Sequence, residues 1–157
     1  MPNWCSNTLS LTHTDSTMLD KAENSLADEK LLKTLVPYEG EWNYDWCVAN
    51  WGTKWDVGGG YTRPNLNTLN ITFDSAWAPP IEAYKKMEEL GFTVKAMYYE
   101  PGMCFCGMYE DGSDDYYEYG TMTAEEITDT IPLELDMEFG ISDTQAEYEA
   151  EEEEDNE

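Results

Sequence analysis

The chain has 157 residues, of which 41% are hydrophobic and 13% aromatic, and its 34 Asp+Glu against 8 Lys+Arg give a formal net charge of −26. That length suits one domain with a sizeable core, and the aromatic content excludes a chain disordered throughout. The charge excludes direct binding to DNA, RNA or an anionic membrane, each of which needs a basic footprint.

The charge is also lopsided. From Ala96 to Glu157 there is no Lys or Arg, and 21 of the 34 acidic residues lie there. Residues 1–95 hold the other 13 with all 8 basic residues, so the two parts carry −5 and −21. Like charges at this density repel within the compact state, so the acidic part is expected to be solvated or bound to something positive. No apolar run approaches the length of a membrane span. The opening MPNWCSNTLS lacks the basic and apolar regions of a signal peptide. A cytoplasmic location is expected, with Cys5, Cys47, Cys104 and Cys106 as reduced thiols.

In chain order, Trp4–Thr12 predicts a first strand, with Cys5, Asn7, Leu9 and Leu11 on one face. Thr14 or Asp15 caps a helix over about 16–26, and a second short helix runs through Asp28–Leu35, stopped before Pro37. Tyr38–Val57 is aromatic-rich, and Trp42, Trp46 and Cys47 share a helical spacing. Gly52 marks a turn into a short strand, Thr53–Val57, and Gly58–Asn65 reads as a loop. Leu66–Ser75 alternates as a clear strand. Ala78-Pro79-Pro80 opens a helix that Gly91 ends. Phe92–Glu100 and Met103–Glu110 are strands, and Asp111-Gly112 predicts a hairpin turn returning through Asp115–Tyr119. Thr123 to Glu126 has the spacing of a capping box. A short strand or extended arm is expected beyond Pro132, and disorder from Asp143.

This order predicts an α+β fold. It has an antiparallel sheet with helices on one face, on the ferredoxin-like βαββαβ plan. A Trp-rich insertion at about 38–65 and an acidic C-terminal extension are added to that plan. Residues 1–142 form the single domain and 143–157 a disordered acidic tail.

Catalytic motifs are weak. Cys104 and Cys106 on one strand face supply two ligands, but Cys5 and Cys47 lack the paired spacing of a zinc set, so small core cysteines are favoured over a metal. Asp111, Asp114 and Asp115 around Gly112 do not follow the calcium-loop register. Gly58-Gly59-Gly60 is followed by no Lys-Ser/Thr for a phosphate. A single His, His13, offers little general-base material. A non-enzymatic protein without cofactor or metal is expected.

Four ordered segments form a familiar set: Met1–Asn7 (MPNWCSN), Trp51–Asp56 (WGTKWD), Phe73–Pro80 (FDSAWAPP) and Tyr98–Gly107 (YYEPGMCFCG). They resemble the YubB-like (Api92-like) family of small proteins carried by phages and plasmids, whose function is unknown. The resemblance spans roughly 1–120 and implies a ferredoxin-like later portion and a mobile-element context, and it transfers no catalytic residue. In that context the acidity suggests an inhibitor that binds a host defence protein stoichiometrically, as a nucleic-acid mimic facing a basic surface in the host cytoplasm. The expected binding residues are Glu110, Asp111, Asp114, Asp115, Glu118, Glu125, Glu126 and Asp129, with Tyr116, Tyr117 and Tyr119 as apolar anchors. The alternative is a small-ligand-binding, sequestering protein whose pocket is lined by Trp4, Trp51, Lys54, Trp55 and Trp77. Oligomeric state is left open.

Overall fold

The computed structural model describes residues 2–155. Strand β1 (Trp4–Thr12) is followed by helices α1 (Ser16–Leu26), α2 (Leu31–Leu35) and α3 (Tyr44–Asn50). Strands β2 (Gly60–Asn65) and β3 (Thr68–Ala76), helix α4 (Ile81–Glu89) and strand β4 (Thr93–Glu100) complete a βαββαβ unit. Its strands lie in the order β4-β1-β3-β2, every neighbouring pair antiparallel, as a ferredoxin-like plan requires. Strands β5 (Phe105–Glu110) and β6 (Ser113–Glu118) extend the sheet beyond β4 to six strands. Helices α5 (Ala124–Thr130), α6 (Leu133–Phe139) and α7 (Ile141–Asp155) follow.

The sheet carries helices on both faces, not one. On one face Leu9 and Leu11 of β1, Leu69, Ile71 and Phe73 of β3, Val94 and Ala96 of β4 and Tyr109 of β5 are buried beneath α1, α2 and α4. On the other, Met97 and Cys106 are buried with Tyr119, Ile127, Ile131, Leu135 and Ile141 from the segments after β6. The period-2 alternation of side chains lets β4 serve both cores. The second core exists because Ile127 of α5, Ile131 at its C-terminal cap, Leu135 of α6 and Ile141 of α7 pack with Met97 of β4 and Cys106 of β5. The aliphatic residues had no partner in a one-layer reading of the sequence.

Local chemistry sets the boundaries. Asp15 caps α1, its carboxylate accepting from the Thr17 amide at 3.0 Å. Asn43 caps α3, which starts at Tyr44, so Trp42 lies outside the helix and not on a face shared with Trp46. The expected strand Thr53–Val57 is a turn-rich loop. Asp56 holds it, accepting from the Leu32 and Lys33 amides at 2.7 and 3.0 Å, and Thr53 donates to the Ala76 carbonyl at 2.8 Å. The expected loop over 60–65 is instead edge strand β2, where Pro64 is tolerated because one side of an edge strand needs no donor. Gly59 fits there because a Cβ would run into the Thr72 carbonyl of the neighbouring strand.

The C-terminal region departs most from expectation. The arm beyond Pro132 is helix α6, and the tail expected to be disordered from 143 is helix α7 through Asp155; positions 156 and 157 of that tail lie outside the described residues. Glu is a good helix former, and α7 is anchored. Ile141 is buried in the second core, Asp136 accepts from the Ser142 amide at 2.7 Å, and Glu149 accepts from the Ala124 amide of α5 at 3.0 Å.

Two predictions follow from the packing. The Tyr98 ring crosses Gly107 of the next strand to donate its hydroxyl to Asp114 at 2.7 Å, and a Cβ on Gly107 would meet that ring and lie 2.6 Å from the Asp115 carbonyl. Gly107→Ala is expected to destabilise the fold by about 1–3 kcal/mol, the usual cost of overpacking, read as a lower thermal midpoint in circular dichroism. Burial pushes the Cys5 and Cys106 thiols up to about 12, and Cys47 is also buried, whereas Cys104 is half-exposed. A thiol reagent at mildly alkaline pH should modify the native protein at Cys104 alone, and all four cysteines in denaturant, as mass spectrometry would show.

Candidate functional site

The acidic set expected from the sequence divides between the hairpin of edge strand β6 and helix α5 of the second core. Asp111 and Gly112 both take positive φ, 50° and 80°, the conformation of a type I′ hairpin turn. The turn pairs Glu110 with Ser113 and fixes the register of β6. Alternation then sorts the side chains. Asp114, Tyr116 and Glu118 occupy one face of β6, with Asp115 and Tyr117 on the other. Glu125, Glu126 and Asp129 are exposed on α5, whose capping box forms as expected: Thr123 accepts from the Glu126 amide at 3.2 Å.

The tyrosines divide. Tyr116 is 51% exposed and packs on Phe105 at 5.4 Å between ring centroids, and Phe105 meets Tyr98 at 6.2 Å. An aromatic ladder therefore runs from the interior to the β6 edge. Tyr117 is half-buried against the second core and Tyr119 is buried, stacked on Tyr99 at 5.9 Å, so neither offers the free anchor expected of it. Asp114 is tied to the Tyr98 hydroxyl, and partial burial raises its carboxyl above the usual range despite that bond. Phe105 is the contributor the sequence reading missed; its register opposite Glu118 and Glu100 places it on the face of Tyr116.

The positive charges are mostly committed elsewhere. Arg63 pairs with Asp20 and Glu23 at 2.5 and 2.8 Å, Lys85 with Glu82 at 3.3 Å and Lys95 with Glu134 at 3.1 Å. Lys33, Lys54 and Lys86 lie over the rings of Tyr38, Trp55 and Trp46. Lys95 is the last basic residue in the sequence, so the carboxylates of β6 and α5 have no cation within their own segment.

The tryptophan set changes membership. Trp51 is buried in the first core beside Tyr38 and Trp46, its indole N–H donating to the Val36 carbonyl at 2.9 Å, so it lines no surface pocket. Trp4, Trp55 and Trp77 are exposed together around Lys54. The ammonium lies 4.1 Å from the Trp55 ring centroid and 4.0 Å from that of Trp77, and Trp4 meets Trp55 at 6.0 Å. Trp42 joins them, donating its indole N–H to the Lys54 carbonyl at 2.8 Å. A cleft of about 560 Å³ beside Trp4 and Trp55 is also lined by Glu29, Asp56, Val57, Gly58 and Asp74. Glu29 lies far in sequence from every tryptophan segment, and Asp74, though in the same segment as Trp77, reaches the cleft from β3, so the acidic lining is assembled by the fold.

Cys104 and Cys106 are not a strand pair, since Cys104 precedes β5 with φ 59°. Cys106 belongs to the second core and Cys47 to the first. Among the described residues no cluster of three or more His, Cys, Asp or Glu side chains is placed to hold a metal ion, and no helix is long and apolar enough to cross a membrane.

No family model and no curated protein matches the chain. Among solved structures it is similar to the crystal structure of a protein api92 from Yersinia pseudotuberculosis, described under the family model DUF1281. The identity is 21% and the TM-score 0.41, with 57% of this chain and 39% of that one covered. The chain thus spans well under half of that protein's length.

Proposed function

We propose that this chain is a binding protein that acts by occupying the basic, nucleic-acid-contacting surface of a protein partner in a stoichiometric complex. In the mobile-element setting implied by the family resemblance, that partner is a host defence protein and the chain its inhibitor. One observation carries the reading: Asp114 and Glu118 share a face of β6 with the exposed ring of Tyr116, and neither they nor the exposed carboxylates of α5 have a cation in their own segment.

The physics of such an interface has two parts. The uncompensated carboxylates attract a basic surface over a Debye length and raise its rate of encounter. Charge alone gives weak, salt-sensitive attachment. An aromatic anchor seated in a partner pocket supplies what survives salt. Tyr116 suits that role, being half-open, braced by Phe105 and hydrogen-bonded to Glu118 at 3.2 Å. The edge of β6 adds unpaired backbone groups, so a basic strand of the partner can extend the sheet.

The test separates these contributions. Asp111→Asn/Asp115→Asn/Glu118→Gln leaves the Tyr98–Asp114 bond intact and removes three exposed charges. At about 0.2–1 kcal/mol per exposed pair, the variant is expected to weaken the complex about tenfold at low salt and to flatten its salt dependence. Tyr116→Ala is expected to speed dissociation at every salt concentration, and nucleic acid should compete with the wild-type chain for the partner. Binding kinetics on the purified complex measure all three, and an affinity unchanged in the triple variant rules out the acidic edge as the site.

A further inference from the structure

Trp77 is held at φ 66°, a region that bulky L-residues rarely enter and that costs about 1–3 kcal/mol. With 46% of its surface open to solvent, burial does little to offset that cost. What the conformation achieves is placement: its ring and that of Trp55 both close on the Lys54 ammonium. With Trp42 bonded to the Lys54 carbonyl and Trp4 against Trp55, four exposed tryptophans are fixed on one surface. Rigid exposed aromatics of this kind carry binding energy at small entropic cost.

The cleft beside Trp4 and Trp55 defines what they bind. Of its three carboxylates, Asp56 is engaged by the Leu32, Lys33 and Val57 amides. Glu29 and Asp74 are exposed, and among the described residues neither is in an ion pair. Lys54 does not line the cleft. The free chemistry is therefore two indole surfaces and two unpaired carboxylates. An anion is repelled there, and a neutral sugar leaves both charges without a counter-charge. An ammonium is a strongly hydrated point charge, whereas a guanidinium is flat, weakly hydrated and forked. It stacks on an aromatic face while its N–H groups serve carboxylates.

We propose that the cleft bounded by Trp4, Trp55, Glu29 and Asp74 is a guanidinium site that takes an arginine side chain of a protein partner. It stands apart from the acidic edge: Trp4 and Asp74 lie on β1 and β3, separated from β6 by β4 and β5.

The experiment needs no partner, so its failure would leave the acidic-edge reading untouched. The full chain is titrated with N-acetyl-arginine amide, N-acetyl-lysine amide and methyl glucoside. The indole N–H signals of Trp4 and Trp55 are followed by NMR after assignment with Trp4→Phe and Trp55→Phe. The arginine compound is expected to shift both signals saturably and to bind more tightly than the lysine compound. Glu29→Gln/Asp74→Asn is expected to weaken it about tenfold, the worth of one charge-assisted hydrogen bond. Equal responses to arginine and lysine would show diffuse attraction to a polyanion and overturn the proposal. So would preferential binding of the sugar, the absence of any shift, or an affinity unchanged in the double variant. The ligand comparison on the wild-type chain decides the question even if the double variant does not fold.

Discussion

Strand β4 is the constraint on which the rest of the molecule depends. Val94 and Ala96 face one core, with Tyr98 buried on the same side of the strand, while Met97 and Tyr99 face the other, so a single eight-residue strand joins the ferredoxin-like unit to the acidic half. A slip of one residue would exchange the two sets of side chains between cores of different shape. Several contacts pin the register. The full ladder with β1 aligns Leu9 with Ala96, the ladder with β5 aligns Tyr98 with Gly107, and the Tyr98 hydroxyl reaches over that glycine to Asp114 on the strand beyond. Glu100, buried at the end of β4, accepts from the Gly102 and Met103 amides and so shapes the turn into β5.

This arrangement separates the main core from the acidic surface. The first core collects most of the large buried side chains and most of the basic residues, whose charges are satisfied by carboxylates or aromatic rings nearby. The second core is smaller, and its job is to hold carboxylate-bearing helices against the sheet. Mutual repulsion among those carboxylates opposes compaction. The structure meets it with specific acceptor roles: Glu126 in a capping box, Asp136 on the Ser142 amide and Glu149 on the Ala124 amide. Each places negative charge at the first turn of a helix, where the exposed amides welcome it.

Much of the ferredoxin-like unit was legible because its signals are local. Leu69, Ile71 and Phe73 alternate, Pro79-Pro80 precedes a helix that Gly91 ends, and Asp111-Gly112 closes a hairpin. Strand β2 was missed because Gly60, the last of three consecutive glycines, and Pro64 carry loop chemistry, and its edge position tolerates them. Helix α7 was missed because a run of glutamates is compositionally that of a disordered segment, and its anchors are long-range contacts. The acidic edge could be read as a charge distribution, but which tyrosine faces outward depends on strand register: Tyr116 and Tyr117 are neighbours with opposite fates. The Trp4–Trp55 cleft needed Glu29 and Asp74, which only the folded chain brings beside it.

The two ends of the sheet are protected by different means. At the β2 end, Pro64 and a shift of register between Thr62 and Asn65 interrupt the backbone and prevent another strand from docking, whatever the solvent. At the β6 end the defence against copies of the same chain is electrostatic: Asp114, Asp115 and Glu118 confront their own likeness. Such a guard is conditional. As the pH falls into the range where carboxylates take up protons, or as salt accumulates, the repulsion fades while the unpaired backbone and the Tyr116 ring remain. The edge that repels its own copies thereby becomes, in acid, a self-complementary one, and colloidal stability is lost from that side of the sheet first.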